Sequence, residues 1–489
     1  MPSEDHSQDG FTSGGKEAFE RVGLLGQWAT GGGVKDAGTA GTSNSVAPAA
    51  ARSGGGNNSS QHVVISEARQ PFRAVNQDLF TPLSVPIGPY HRASCSDRWK
   101  QEKKRVAEET VKYLQDSRGQ EAAHQLEEKV GQLVEDVRGC YGGLPDMKSE
   151  ELVSMLLHDG CYVLKFFVQY PGHPDVSPPR GEDNTVMRDI MYLLENQLPM
   201  IVLKRIHQCL VPERSVVNDV EDRVLGLLSA QLYIRGIKKP RQAVSSHLLQ
   251  LVHAYFQPRL EHSSISIDSD EQSESHQQRS ATRNNVQNEG NTRRCMGRWR
   301  RATEYSRYGN VQLKRRELAD GVVESILDVH LEGSTLLIPR LRIVSSTWTI
   351  LRNLMALEEQ TGGGGSPVTA YCLFMSQLAS KVEDIELLKR KEIVDHYWGN
   401  DEEVAQGFAD LCKKVVLDVD DVGSNYLGHI WHRLHERCES LGHNCWGSFR
   451  HRHCGDSMRI LAFVTAGLLF AFQLIQVILA GFSLRQQGK

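Results

Sequence analysis

The amino terminus lacks an apolar run. MPSEDHSQDGFTSGG is acidic and polar where a secretory leader needs roughly 7–15 apolar residues, so no leader is expected. An excess of one charge is also missing: 56 Lys and Arg stand against 60 Asp and Glu, for a net charge of −4. With a pI near 6.6 there is no global pull towards nucleic acid, and no nucleic-acid partner is expected. Nucleotide and hydrolase signatures are absent. The glycines from Gly362 to Gly365 lack the Lys-Ser/Thr pair of a phosphate-binding loop, and neither G-x-S-x-G nor H-E-x-x-H occurs. DVDDVG (Asp418 to Gly423) begins like a calcium loop, but Val422 fills its fifth position and His429 its twelfth, where a bidentate Glu belongs. The ten cysteines form no C-x-x-C knuckle. Most sit within apolar helical patterns, where reduced cysteine acts as a small hydrophobe, and this points to a reducing setting. No catalytic, cofactor-binding or metal-binding residue is therefore assigned, and no cofactor is expected.

What the chain does have is one long apolar run, Ile460 to Leu484, free of Asp, Glu, Lys, Arg and His. About 20 helical residues span a hydrocarbon core of roughly 30 Å, so a C-terminal transmembrane helix is expected here, with the lipid bilayer as partner. Arg450, Arg452 and Arg459 before it against Arg485 and Lys489 after it favour a cytosolic body. That placement means a single-pass protein of the plasma membrane or an endomembrane; the alternative is an extracytoplasmic body. Gln473 and Gln476, three residues apart, offer a face for homo-oligomer pairing between such helices.

Composition divides the rest. Residues 1–62 are rich in Gly, Ser and Ala and read as a disordered tail, as do 262–297, which carry almost no large apolar side chain. Asn57 and Asn58 match glycosylation sequons, which count only on an extracytoplasmic face. Residues 63–261 read as a helical lobe, 298–458 as a second lobe of a β-hairpin followed by helices, and 459–485 as the membrane helix. Val106, Thr110, Tyr113 and Leu114 share one helical face, and a second helix runs from Ala122 to Val137. The stripe Leu152, Met155, Leu156, Val163, Phe166 and Phe167 is interrupted by Asp159 and Gly160. Ile190, Leu193, Leu194 and Leu198 fit one helix face, with Asp189, Tyr192 and Asn196 beside it, until Pro199 kinks that helix or starts another. Leu327, Val329 and Leu331 alternate before the turn Glu332-Gly333-Ser334, the one clear strand signal. Helices are expected again over Trp348 to Gln360, Val368 to Val382, Asp384 to Tyr397 and Glu402 to Val419. The fold class is mainly α: a multi-helix globular body with a small β-hairpin, plus the transmembrane helix.

Two clusters invite chemistry. Cys438, Cys445 and Cys454 lie among His429, His432, His435, His443, His451 and His453, but at spacings that match no standard zinc site. A solvated basic neck is the plainer reading, with Cys454 a lipidation candidate six residues before the apolar run. The acids Asp159, Asp189 and Glu195 could perform acid–base chemistry if they converge in a pocket; caps and buried networks account for such acids more often.

VPIGPYH at Val85, MLLHDGCYVLKFF at Met155, DIMYLLENQLP at Asp189, IPRLRI at Ile338 and TILRNLMALEEQ at Thr349 occur in that order. Together with the terminal apolar run they resemble the plant domain-of-unknown-function 247 family, also called uncharacterised protein family 0481. The motif residues carried by the resemblance are Gly88, Pro89, Tyr90, His91, Asp159 and Gly160, then Asp189, Glu195, Asn196, Gln197 and Pro199, then Arg352, Asn353 and Glu358. The resemblance implies a plant, membrane-associated, largely helical protein without an established enzyme activity; some relatives are linked to grass self-incompatibility. The chain departs from it in lacking an extra His-Gly after VPIGPYH and a Pro-Trp pair before the final run. Two functional readings follow. The first is a non-enzymatic recognition or signalling module that binds an unidentified protein partner; the second is a hydrolase-like enzyme using Asp159, Asp189 and Glu195.

Overall fold

Periodicity of apolar side chains places the first long helix. The computed structural model describes residues 65–170, 179–212, 216–231, 234–235, 245–258, 299–317, 324–361, 365–397, 399–415, 425–439 and 465–477. After strand β1 (Ile65–Ser66) and helix α1 (Gln70–Arg73), the turn-rich VPIGPYH stretch leads into α2 (Asp97–Arg118). Trp99, Lys103, Val106, Thr110 and Leu114, three or four residues apart, form its buried face together with Ala107. Asp97 in its first turn and Arg118 in its last complement the helix dipole, and Gly119 at φ 88° ends it. Helix α3 (Gln120–Gly131), α4 (Val134–Cys140), β2 (Tyr141–Gly142) and α5 (Ser149–Gln169) follow. The single helix expected over Ala122 to Val137 is thus two, although Leu126, Val130, Leu133 and Val137 are all buried.

Helix α6 (Glu182–Tyr192) ends before the motif ENQLP, and α7 (Met200–Leu210) begins just after Pro199. Helices α2, α3, α5 and α7 pack on one another. Gly160 of α5 leaves room for α7: a Cβ there would stand 2.5 Å from Ile206 Cδ1. Helix α8 (Val216–Ala230), β3 (Ile234–Arg235) and α9 (Leu248–Tyr255) complete this part.

The later part holds α10 (Ala302–Tyr308), β4 (Gln312–Arg316), β5 (Glu324–Ser325), β6 (His330–Glu332), β7 (Thr335–Pro339) and β8 (Leu341–Ile343). Strands β6 and β7 form the antiparallel hairpin at Gly333, with Leu331 opposite Leu336, and β4 adds a parallel strand to β7. Leu327 and Val329 lie outside the strand, in an irregular segment before it. Helices α11 (Thr347–Thr361), α12 (Pro367–Leu378) and α13 (Val382–Arg390), strand β9 (Val394–His396), α14 (Asp401–Leu411) and α15 (Gly428–Glu439) follow. The expected helix Asp384 to Tyr397 is therefore cut short. Glu392 at φ 56° turns the chain, and Val394–His396 pairs parallel with Leu341–Ile343. Helix α11 touches both α6 and α9, and one cluster of buried side chains runs from Ile65 to Cys438.

The transmembrane helix does not hold. No helix among the described residues is long and apolar enough to cross a membrane. Within the apolar run the described residues 465–477 are helical (α16); at about 1.5 Å per residue they account for about 20 Å against a core of roughly 30 Å. The bilayer partner and the Gln473–Gln476 pairing face both rested on that span. The mainly helical body with small strands stands without it. Tail 1–62 with Asn57 and Asn58, insertion 262–297, and Cys445, Cys454, His443, His451 and His453 lie outside the described residues.

Candidate functional site: a buried polar network beneath VPIGPYH

The residues singled out by the motifs meet under one turn. Asp189, in the last turn of α6, accepts backbone N–H bonds from Leu83 (3.1 Å), Ser84 (2.7 Å) and Val85 (3.0 Å). Arg188 donates to the same carboxylate at 2.7 Å, and also to Thr81 O and Asp78 O. Asn196 continues the row: its Oδ1 accepts the Ile87 N–H at 2.6 Å, and its Nδ2 donates to Val85 O and Asp189 O. Asp159 takes the next donor, Gly88 N–H, at 2.8 Å, and pairs with Lys103 Nζ at 2.5 Å. Lys103 in turn donates to Pro86 O. An extended loop has no ladder of its own for its N–H groups, and a buried N–H without an acceptor costs about 1–3 kcal/mol; here three side chains supply the acceptors.

Gly88 fits this turn for two reasons. Its φ of 72° is costly for an L side chain, and a Cβ would lie 2.8 Å from Gln197 O. Tyr90 carries its hydroxyl to within 3.0 Å of Ile65 O and 2.8 Å of Gly142 O, sharing one hydrogen between the carbonyls of β1 and β2. Burial, with Glu67 and Glu195 nearby, pushes the Tyr90 phenol well above its ordinary range, so it stays a donor.

Residues 193–199 are irregular, not the helix that Leu193, Leu194 and Leu198 suggested. The reason lies in Asn196 and Gln197, whose side chains replace a helical ladder. Gln197 donates to Ile190 O and Leu193 O and accepts the Leu249 N–H. Pro199 is the residue before α7 and donates nothing. Glu195 accepts the Ala68 N–H at 2.9 Å; its other oxygen lies 3.3 Å from Arg73 and 3.4 Å from His91 Nε2.

Helix α11 adds three members. Asn353 accepts the Leu194 N–H and donates to Leu79 O and Thr349 O. Arg352 donates to Leu411 O, Lys413 O and Phe72 O, with its guanidinium 4.4 Å from the Phe72 ring centre. Burial pulls the Arg352 pKa below its ordinary value. Glu358 sits apart from the turn: it accepts the Val368 and Thr369 N–H groups at the start of α12, the Thr369 hydroxyl, and a contact from His253 Nε2 at 2.9 Å.

Asp159, Asp189 and Glu195 are each no more than 1% exposed. Each holds a distant piece of backbone, an arrangement that positions chain and presents no carboxylate to solvent. Sequence reasoning missed Lys103 and Arg188. Lys103 was detectable, since it falls on the buried face of α2 between Trp99 and Val106; Arg188 had no such signal. Among the described residues no group of three His, Cys, Asp or Glu could hold a metal ion. On α15, His435 stacks on Trp431 at 4.7 Å, and Cys438 is buried.

Comparison with known proteins follows the same residues. The profile of DUF247, described as a plant protein of unknown function, matches residues 65–472. The UPF0481 protein At3g47200 of Arabidopsis thaliana is 25% identical over 397 residues, covering 78% of each chain. The putative UPF0481 protein At3g02645 of the same plant is 22% identical over 480 residues, covering 83% of this chain and 88% of its own. No solved structure matches the chain.

Proposed function

This chain belongs to the plant DUF247 family, and we propose that it acts as a non-enzymatic interaction module presenting the loop before VPIGPYH to a protein partner. The observation that carries the reading is Leu83. Its backbone N–H is held by buried Asp189, as are those of Ser84 and Val85, yet its residue surface is 68% exposed. A large apolar side chain on a rigid loop loses little conformational entropy on binding, which is what a docking anchor needs. The motif acids support the same reading, because their oxygens hold backbone and partner cations inside the fold. The hydrolase-like alternative requires Asp159, Asp189 and Glu195 to share a pocket with substrate, and their burial works against it. Neither relative's name carries a self-incompatibility role, so the proposal stops at an interaction module.

Quantitative proximity labelling in plant cells tests it, comparing the full chain with Leu83→Asp and with Tyr308→Asp, a change at another exposed apolar residue. A partner set lost with Leu83→Asp and kept with Tyr308→Asp is the expected outcome. Equal labelling by all three proteins would sink the proposal.

A further inference from the structure

A cleft of about 510 Å³ opens between α2, α5 and the start of α6, away from the buried network. Small-molecule sites commonly measure roughly 300–1,000 Å³. Its apolar wall is aromatic. Trp99 and Phe166 are buried to 8% and 4% exposure, and Tyr162 meets the Trp99 ring edge-on with centroids 5.7 Å apart.

The remaining wall is charged in both signs. Arg98, Arg105 and Lys165 face it, and so do Glu102, Glu182 and Asp183, with Glu109 behind Arg105 and Lys165 as a further carboxylate. One isolated pair spans the cleft. Arg98, at the first turn of α2, forms a two-pronged bridge to Glu182, at the first turn of α6, with bonds of 2.7 and 2.8 Å. Deeper in, Arg105 is bound to Glu102 at 2.6 and 2.9 Å and also to Glu109, one turn further along α2. The ammonium of Lys165, a residue only 5% exposed, lies 3.6 Å from Glu109 and 3.8 Å from Glu102.

This pairing restricts what can enter. A phosphate ester or other dianion would face three carboxylates, and a polyamine three cations, with the uncompensated repulsion raised by the partial burial. A lone carboxylate or ammonium would break one internal pair and leave its partner without a counter-charge. A zwitterion avoids both penalties: its carboxylate exchanges onto an arginine as its ammonium exchanges onto the released glutamate. Tyr162, the half-buried member of the aromatic wall, adds a surface for a ring. We propose that this cleft binds a small ring-bearing zwitterion, of the class of the aromatic α-amino acids, with the Arg98–Glu182 pair opening to receive its two charges.

The test is calorimetric titration of the full chain with L-tryptophan, tryptamine and indole-3-propionate, which share one ring and differ in which charge they carry. Saturable binding of L-tryptophan at one site, at least tenfold tighter than either analogue, is the expected result. Arg98→Gln, at a side chain 69% exposed, is expected to weaken that binding at least tenfold while leaving the thermal melt in place. Glu150→Gln, on a different surface cleft, should leave it unchanged. Absence of saturable heat with L-tryptophan at millimolar concentration overturns the proposal, as does equal affinity for either analogue. Undiminished binding by Arg98→Gln removes the ligand from this cleft and overturns it as well.

Discussion

Asn353 on α11 accepts the Leu194 backbone N–H at 2.8 Å and donates to Leu79 O at 2.7 Å. One amide thereby ties the ENQLP bend to the chain entering VPIGPYH, across 159 residues in one direction and 274 in the other. Replacing it with leucine of similar size would leave a buried N–H and a buried carbonyl without partners. Asn353→Leu is expected to lower the unfolding free energy by about 2–6 kcal/mol, at about 1–3 per orphaned group. Urea unfolding followed by circular dichroism measures this, and a loss under about 1 kcal/mol would show that the bend does not depend on the amide.

Asp189 presents a harsher case, because Arg188 remains when the acid is removed. Asp189→Ala strands three loop N–H groups and a largely buried guanidinium, and should cost about 3–5 kcal/mol. Increased protease cleavage at residues 81–88 is the accompanying expectation, read by mass spectrometry after brief digestion. A variant as resistant as the parent in that segment would contradict the pinning role.

Gly88→Ala combines two faults, a φ of 72° and a 2.8 Å approach to the Gln197 carbonyl. A destabilisation of at least about 1 kcal/mol is expected from the backbone alone. Gly143→Ala is the matched control: its φ is 74°, but a Cβ there meets nothing within 4 Å. The difference between the two midpoints isolates the steric part, and identical midpoints would exclude it.

Asp401 supplies a pH dependence with a definite sign. Burial raises its pKa, but hydrogen bonds from Lys389 and His396 outweigh that and leave it below the ordinary carboxylate value. A depressed folded-state pKa stabilises the fold above the unfolded value of about 3.9, and the contribution fades as pH falls through the lower folded value. Asp401→Asn should therefore be less stable than the parent at pH 7, with the gap shrinking below about pH 4. Denaturation midpoints at pH 7, 5 and 3 decide the matter; a gap that stays constant across them would refute the linkage.

Much of the helical framework was legible because helices announce themselves locally. The faces of α2 and α5 and the extent of α11 follow from apolar residues three and four apart. The errors share a cause. Val394–His396 is strand because Leu341–Ile343 lies beside it, a partner some fifty residues distant that no local window contains. Residues 193–199 kept a helical apolar rhythm, but Asn196 and Gln197 bond to backbone in place of a helical ladder. The apolar run at the C-terminus met the length criterion as sequence, whereas its described helix covers only 465–477.

The candidate site divides in the same way. Its motif residues were visible as an ordered set, and Lys103 could have been added from its place on a buried helical face. Their roles were not visible, since a carboxylate in sequence does not say whether it faces substrate or the N–H groups of a loop 104 residues away.

By itself the sequence determined the helical class, the hairpin at Gly333 and the family, because these depend on local periodicity, turn chemistry and an ordered set of motifs. Only the tertiary structure decided that Asp159, Asp189 and Asn196 serve one turn, and that Arg98 and Glu182 bridge an aromatic cleft. Hydrogen bonds and Coulomb energies are set by distances between groups far apart in the chain, and folding alone fixes those distances.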